Sequence, residues 1–287
     1  MRYPISKALV VSLPLWLILL IVAAWNPCGK FWGSVEEPKA QCEAYDAARL
    51  KTMPVLSAEI YDREKLDRLI REPQNTISNL PYAVVGLAVF FAARRPLSRG
   101  WAIGCVFLGF GSGMYHAALL PEWRLIDILG VYVALFGLTA IALSAQVSKP
   151  MKLSYEAAMT SVFWIIAFWT GIHRNDVRVG RFKLFDSTYV VVAAVAFSSI
   201  LALRSFVRTA DKRRSVFSLA ALVIAAPLAF AGGLGDRFGG FLADPEGLIQ
   251  GHSIWHACGA IALLASYEIF AAAGHDRSTF SEQNPGT

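Results

Sequence analysis

The chain has 287 residues, of which 55% are hydrophobic and 17% charged, and its mean hydropathy is +0.47. These values lie well outside the usual profile of a soluble globular domain, so we expect an integral membrane protein. The net charge of +6 does not indicate nucleic-acid binding, because the basic residues lie at the ends of apolar runs rather than on one face.

Eight apolar runs are long enough to cross about 30 Å of hydrocarbon, which takes roughly 20 helical residues. Short connections join most of these runs, so the sequence predicts an all-α fold: a polytopic membrane helical bundle. The runs are residues 5–25, 76–93, 101–120, 125–147, 156–172, 186–207, 215–234 and 252–273.

The predicted organisation has four parts. Residues 1–25 form an N-terminal transmembrane anchor, since their apolar stretch is long and ends without a clear small-x-small cleavage site. Residues 26–75 form an extracytoplasmic loop with an amphipathic helix at 57–71. Residues 76–273 form a seven-helix core, and residues 274–287 form a cytoplasmic tail.

Basic residues at the ends of the runs predict the orientation. Under the positive-inside rule, the cluster at 204–214 and the loop with Arg94, Arg95 and Arg99 belong to the cytoplasm. Both termini are then cytoplasmic. The basic loop at 173–185 argues for the opposite orientation.

The four cysteines divide between a loop and the apolar runs. Cys28 and Cys42 fall in the long outer loop, whereas Cys105 and Cys258 fall in predicted spans. A disulfide between Cys28 and Cys42 would suit an oxidising compartment, and two free thiols are the equal alternative.

Polar residues are concentrated at two places inside the apolar runs. Ser112 and His116 are four residues apart, as are His252 and His256, so each pair shares one face of its helix. Asp127 opens the run that follows His116. Polar groups in hydrocarbon are costly unless they have partners, and a bound metal ion would supply one.

Alternating topology brings these polar residues to one depth. The run 101–120 leads outward and the run 125–147 leads inward, so His116 and Asp127 both lie near the outer ends. The last run begins outside with the other two histidines. The residues share one depth whichever way the protein is oriented in the membrane, so we expect these side chains to lie close together.

Three histidines with one open position are the ligand set of catalytic zinc, whose bound water loses its proton near neutral pH. Asp127 could then act as general base, and Ser112 could donate a hydrogen bond to the oxyanion. Two alternatives remain open: Asp127 as a fourth ligand of a structural site, and Ser112 bonded only to a backbone carbonyl.

A polar cluster precedes the second run and comprises Glu72, Asn75, Thr76, Ser78 and Asn79. The last three could cap the first turn of that helix. A cap explains one such residue, so the cluster suggests an additional role.

Three glycines, Gly109, Gly111 and Gly113, lie just before His116. No strand precedes them, so they predict close helix packing rather than a nucleotide loop. His173 and His275 fall in loops and receive no role.

With these motifs, the chain resembles the alkaline ceramidase family, within a wider group of seven-helix membrane hydrolases that includes the progestin and adiponectin receptors. The matching pieces are E-P-Q-N-T-I-S-N at 72–79, G-S-G-M-Y-H at 111–116, Asp127, and G-H-S-I-W-H at 251–256. They span residues 72–273, and the N-T-x-S-N piece favours ceramidases over receptors.

The resemblance implies zinc held by His116, His252 and His256, a seven-helix core with one added N-terminal helix, and hydrolysis of ceramide to sphingosine and a fatty acid. Asp127 and Ser112 then take the roles given above. The alternative is a seven-helix receptor or signalling protein with a structural zinc site. The expected partners are the bilayer and a ceramide-like lipid; nothing indicates nucleic acid or a protein partner.

Some members of the family carry a calcium site built from acidic and amide residues of the N-terminal region. Glu72, Asn75 and Glu43 are the candidates here for a second metal or a structural role. The acidic Trp-containing motif is missing, which argues against calcium.

Overall fold

The computed structural model describes residues 4–25, 70, 72–118, 121–147, 151–173, 178–179, 182–183, 187–209, 212–235, 242 and 249–273. The Cys28 and Cys42 pair, Glu43, the tail 274–287 and the helix predicted at 57–71, apart from Ile70, lie outside these residues. What the sequence indicates about these residues therefore stays a prediction.

Helices occupy all eight predicted runs within the described residues, and the fold is an all-α membrane helical bundle. One two-residue strand pair in the 173–185 loop, with Arg178 opposite Lys183, leaves this class unchanged. The elements are α1 Ile5–Trp25, α2 Pro73–Ser78, α3 Leu80–Ala92, α4 Pro96–Ala118, α5 Pro121–Ser144, α6 Leu153–His173, β1 Arg178–Val179, β2 Phe182–Lys183, α7 Ser187–Arg208, α8 Lys212–Gly235 and α9 Gly251–Ala272.

Four helical segments of the described chain are long and apolar enough to cross a membrane: Pro73–Ala92, Trp123–Ser144, Lys212–Gly235 and Gly251–Ala272. The outer surface of the bundle is also apolar. Leu17, Ile165, Ile200 and Val223, on four different helices, are each more than half exposed. Large exposed apolar faces of this kind are rare on soluble monomers, so the surface suits lipid.

Side chains of α4, α5 and α9 contact one another in the interior of the bundle. Trp101 of α4 stacks on Tyr267 of α9 with ring centroids 4.9 Å apart, and its indole Nε1 donates to the carbonyl of Ala134 on α5 at 3.0 Å. A buried indole needs such a partner. These contacts hold the two helices that carry histidines against each other.

The predicted role of the glycines in helix packing is confirmed by close approaches along α4. A Cβ at Gly109 would lie 2.8 Å from the backbone nitrogen of Ala83 on α3, and one at Gly111 would lie 2.7 Å from Ile126 on α5. Any side chain at these positions would force the helices apart.

Charged side chains are paired at the end of the bundle where α4 begins. Buried Arg95 donates from Nε to Glu156 of α6 at 2.9 Å and from Nη2 to the carbonyl of Met151 at 2.7 Å. Arg214 of α8 is paired with Glu268 of α9. His116 lies 21 residues after Arg95, near the other end of α4, or roughly 30 Å away at 1.5 Å per residue, so the Arg95–Glu156 pair is far from His116.

Candidate metal centre

Three imidazoles meet where α4 ends and α9 begins. The ligand nitrogens of His116, His252 and His256 all lie within 4.8 Å of one another. The ring centroids are 4.5 Å apart for the α9 pair and 4.8 and 4.9 Å from His116 to each member of it. The sequence therefore correctly predicts that these residues come together.

Close packing against α8 fixes the first turns of α9. A Cβ at Gly232 would lie 2.5 Å from the carbonyl oxygen of Gly251, and one at Gly233 would lie 2.5 Å from the Trp255 ring. Within α9, the backbone nitrogen of Gln250 donates to Ser253 Oγ at 3.3 Å. Because these contacts flank His252 and His256, they restrain where the two imidazoles lie.

His116 is bound by a buried carboxylate. Glu72 Oε2 lies 2.6 Å from His116 Nδ1, and both residues are only 1% exposed. The backbone nitrogen of Glu72 also donates to the carbonyl of His116 at 3.1 Å, and Asn75 Nδ2 donates to Glu72 Oε2 at 3.4 Å. With its proton on Nδ1 and directed at Glu72, His116 presents Nε2 as a metal ligand.

His256 is oriented by the same polar segment. Its Nδ1 lies 3.0 Å from Ser78 Oγ, 2.9 Å from Asn79 Nδ2 and 3.3 Å from the carbonyl oxygen of Asn75. Nδ1 can accept from Asn79 Nδ2 or, when it carries the proton, donate to the Ser78 or Asn75 oxygen; in the second case Nε2 is free to bind an ion. The segment 72–79 thus orients two of the three imidazoles.

The helix-capping interpretation of this segment is wrong for Asn79. The chain forms a short helix, α2, and then α3, and Asn79 between them makes no side-chain cap. Its amide instead donates to the carbonyl of Asn75 at 2.8 Å and contacts His256. Thr76 Oγ1 donates to the carbonyl of Glu72 at 2.7 Å, within α2.

Ser112 lies one helical turn before His116 on the same face of α4. It is 1% exposed, and its hydroxyl makes no hydrogen bond to any of the described residues. The alternative in which Ser112 bonds a backbone carbonyl is therefore not seen in the described part of the chain.

Asp127 lies on α5, the helix that packs against α4. The residue before Ser112, Gly111, closely approaches the residue before Asp127, Ile126, where α4 packs against α5. On α3, the ring of Tyr82 lies 6.3 Å from that of His256. Tyr82 is a neighbour of the site that the sequence alone does not single out.

The three histidines fit a metal ion. Zinc binds imidazole nitrogen at about 2.1 Å, so tetrahedral ligands lie roughly 3.4 Å apart, inside the 4.8 Å limit found here. The carboxylate on His116 and the oxygens around His256 are the outer partners that histidine ligands commonly have.

The fold and this cluster define a membrane helical bundle with three histidines, two of them buried, that could hold a metal ion. Residues 65–283 match the family model described as ceramidase. The match covers well over half of the chain, which therefore belongs to the ceramidase family. No curated protein matches the chain.

Membership of the ceramidase family implies a hydrolase that acts on an amide bond, that of ceramide. The apolar helices agree with a lipid substrate. The match also includes the segment 72–79, so the residues around the histidines belong to the family region.

If the three histidines hold zinc, replacing Glu72 with glutamine is expected to weaken its binding roughly tenfold to hundredfold, the usual effect of losing an outer partner of a metal ligand. The amide cannot supply the negative charge that makes His116 a stronger ligand. Zinc affinity of the purified full-length protein, measured by competition with a chelating dye, checks this.

Glu156→Gln is the matched control, because Glu156 is an equally buried carboxylate that bonds Arg95 far from the histidines. It should lower thermal stability without changing zinc affinity. Equal zinc affinity in Glu72→Gln and the unmodified protein would show that the bond to His116 has no bearing on a metal.

Proposed function

We infer that the protein is a zinc-dependent membrane amidase that hydrolyses ceramide, or a related N-acyl lipid, to a sphingoid base and a fatty acid. The observation that carries this inference is the group of three imidazoles, two of them buried and oriented through Nδ1, in a bundle of the ceramidase family.

His116, His252 and His256 would hold the ion. When bound, zinc polarises the amide carbonyl and makes a water molecule acidic enough to act as nucleophile. The three protein ligands leave a fourth position for substrate or water, as catalytic zinc sites do.

The remaining groups handle the proton and the oxyanion. Asp127 accepts the proton of the attacking water and passes it to the leaving amine, which departs as the sphingoid base. Ser112 donates its hydroxyl proton in a hydrogen bond to the carbonyl oxygen as charge develops there. Support for this assignment comes from the buried hydroxyl of Ser112 and from the contact of Gly111 with Ile126, the residue before Asp127.

A membrane site explains how the substrate arrives. A ceramide-like lipid stays in the bilayer with its amide near the surface, so it can reach the site laterally. In the proposed topology, residues 76–273 form the seven-helix core, both termini are cytoplasmic and the site lies near the extracytoplasmic side.

The test is hydrolysis of ceramide by the purified full-length protein in lipid vesicles. Released sphingoid base and fatty acid are measured by mass spectrometry, with and without added zinc, and with N-acyl amines and lipid esters as alternative substrates. We expect zinc-dependent release from ceramide. Zinc-loaded protein that cleaves no lipid amide or ester, and that unfolds when zinc is removed, would favour a receptor with a structural ion.

A further inference from the structure

The N-terminal helix α1 packs onto the part of the bundle that holds the histidines. Its buried residues, Ala8, Ser12 and Trp16, recur every four positions and therefore form one stripe, whereas Val10, Leu13 and Leu17 are more than half exposed. The stripe faces α3 and α4. The one large side chain of the stripe, Trp16, is only 4% exposed.

The indole of Trp16 fills a notch in α4 beside the proposed active-site residues. A Cβ at Gly113 would collide with the edge of the indole, whose Cζ3 would lie 2.8 Å away. Trp16 also stacks on Phe110 at 5.7 Å and packs with Met114. By helix periodicity these contacts lie on the flank and back of α4, away from the face with Ser112 and His116.

The same cluster reaches the other elements of the site. Leu80 and Trp123 pack against Trp16 and Met114. Leu80 follows Asn79, which contacts His256, and Trp123 lies one turn before Asp127 on α5. We name these five side chains, Trp16, Leu80, Phe110, Met114 and Trp123, the Trp16 cluster.

We propose that Trp16 is a positioning residue for hydrolysis: its indole, seated on Gly113, sets the distance of α4 from α3 and α5 and thereby aligns His116, Ser112 and Asp127. This rests on the proposed function. Core packing transmits such displacements because side chains interdigitate without voids. The helix α1 is then part of the active enzyme as well as an anchor.

The test is a double-mutant cycle of Trp16→Leu and Gly113→Ala in the full-length protein. Each single change is expected to lower kcat roughly tenfold to hundredfold, as small misplacements of reacting groups do. KM should change less than about threefold, since substrate binding is not altered. The smaller leucine leaves room for the alanine methyl, so the loss in the double variant should be far below the product of the single losses.

Gly104→Ala is the matched control on the same helix, because its Cβ would meet Val133 rather than Trp16. In the double variant of Gly104→Ala and Trp16→Leu, the fold losses in kcat of the two single variants should multiply. Trp16→Phe, which keeps a ring against Phe110, is expected to retain more activity than Trp16→Leu and serves if the latter folds poorly.

Zinc affinity is also measured for the unmodified protein, the two single variants and the double variant, because it does not depend on turnover. Coupling in zinc affinity with no ceramide hydrolysis by the unmodified protein would support the alignment of His116 by Trp16 but overturn the proposed function and, with it, a role in hydrolysis. Hydrolysis by the unmodified protein, with losses that multiply in both kcat and zinc affinity, would overturn the positioning role alone.

Discussion

Replacing His116 with alanine should remove bound zinc and abolish ceramide hydrolysis together. His116 is the ligand that α4 contributes, and the other two imidazoles of the group are neighbours on α9. Two ligands from one helix bind zinc far more weakly than three that enclose it. The expected loss of zinc affinity and turnover is therefore greater than the roughly hundredfold that follows loss of an outer partner.

Elemental analysis and turnover on ceramide vesicles measure the two losses. His275→Ala is a matched control, since it removes a histidine to which no role is assigned. A His116→Ala protein that keeps stoichiometric zinc and normal turnover would contradict the proposed ligand set.

Asp127→Asn is expected to reduce kcat by about 10²–10⁴, the contribution of a well-placed general base, with zinc content unchanged. Asparagine matches aspartate in size but cannot accept the proton of the attacking water. The retained zinc separates this result from that of His116→Ala.

The alternative in which Asp127 is a fourth ligand makes the opposite prediction, loss of zinc and of thermal stability. Single-turnover kinetics, zinc content and thermal unfolding of the same preparation distinguish the two roles. Asp211→Asn, in the connection between α7 and α8, controls for the loss of one carboxylate. Full activity of Asp127→Asn would remove the residue from the mechanism.

The helices could be predicted from the sequence because each run satisfies a strong local requirement. A stretch such as residues 125–147 is too long and too apolar to be anything but a helix in lipid, where every backbone group must bond within its own segment. The corresponding helix, α5, covers residues 121–144. Boundaries differ by a few residues because helix ends depend on local tertiary contacts.

The convergence of the histidines could also be predicted, although His116 and His252 are 136 residues apart in the sequence. Alternating helix direction fixes the depth of each residue, and the expense of polar groups in lipid requires partners. Depth alone does not determine which helices are neighbours. The contact among α4, α9 and the segment 72–79 is a result of packing.

The bonds that orient the imidazoles could not be predicted in detail. The cluster of Glu72, Asn75 and Asn79 indicates a role beyond helix capping, but residue preferences at helix starts predict that Asn79 is a cap. Its amide contacts His256 instead, because the short helix α2 turns the side chain toward α9. The contact of Trp16 with Gly113 could not be predicted from the sequence either, because a glycine indicates close packing but not which residue packs against it.

The central claim, that three histidines hold one zinc ion, is tested most directly by a crystal structure of the purified protein with anomalous data collected on both sides of the zinc absorption edge. The account predicts a single peak about 2.1 Å from one nitrogen of each of His116, His252 and His256. The peak should vanish below the edge. A map with no peak among these imidazoles, from protein that hydrolyses ceramide, would contradict the claim.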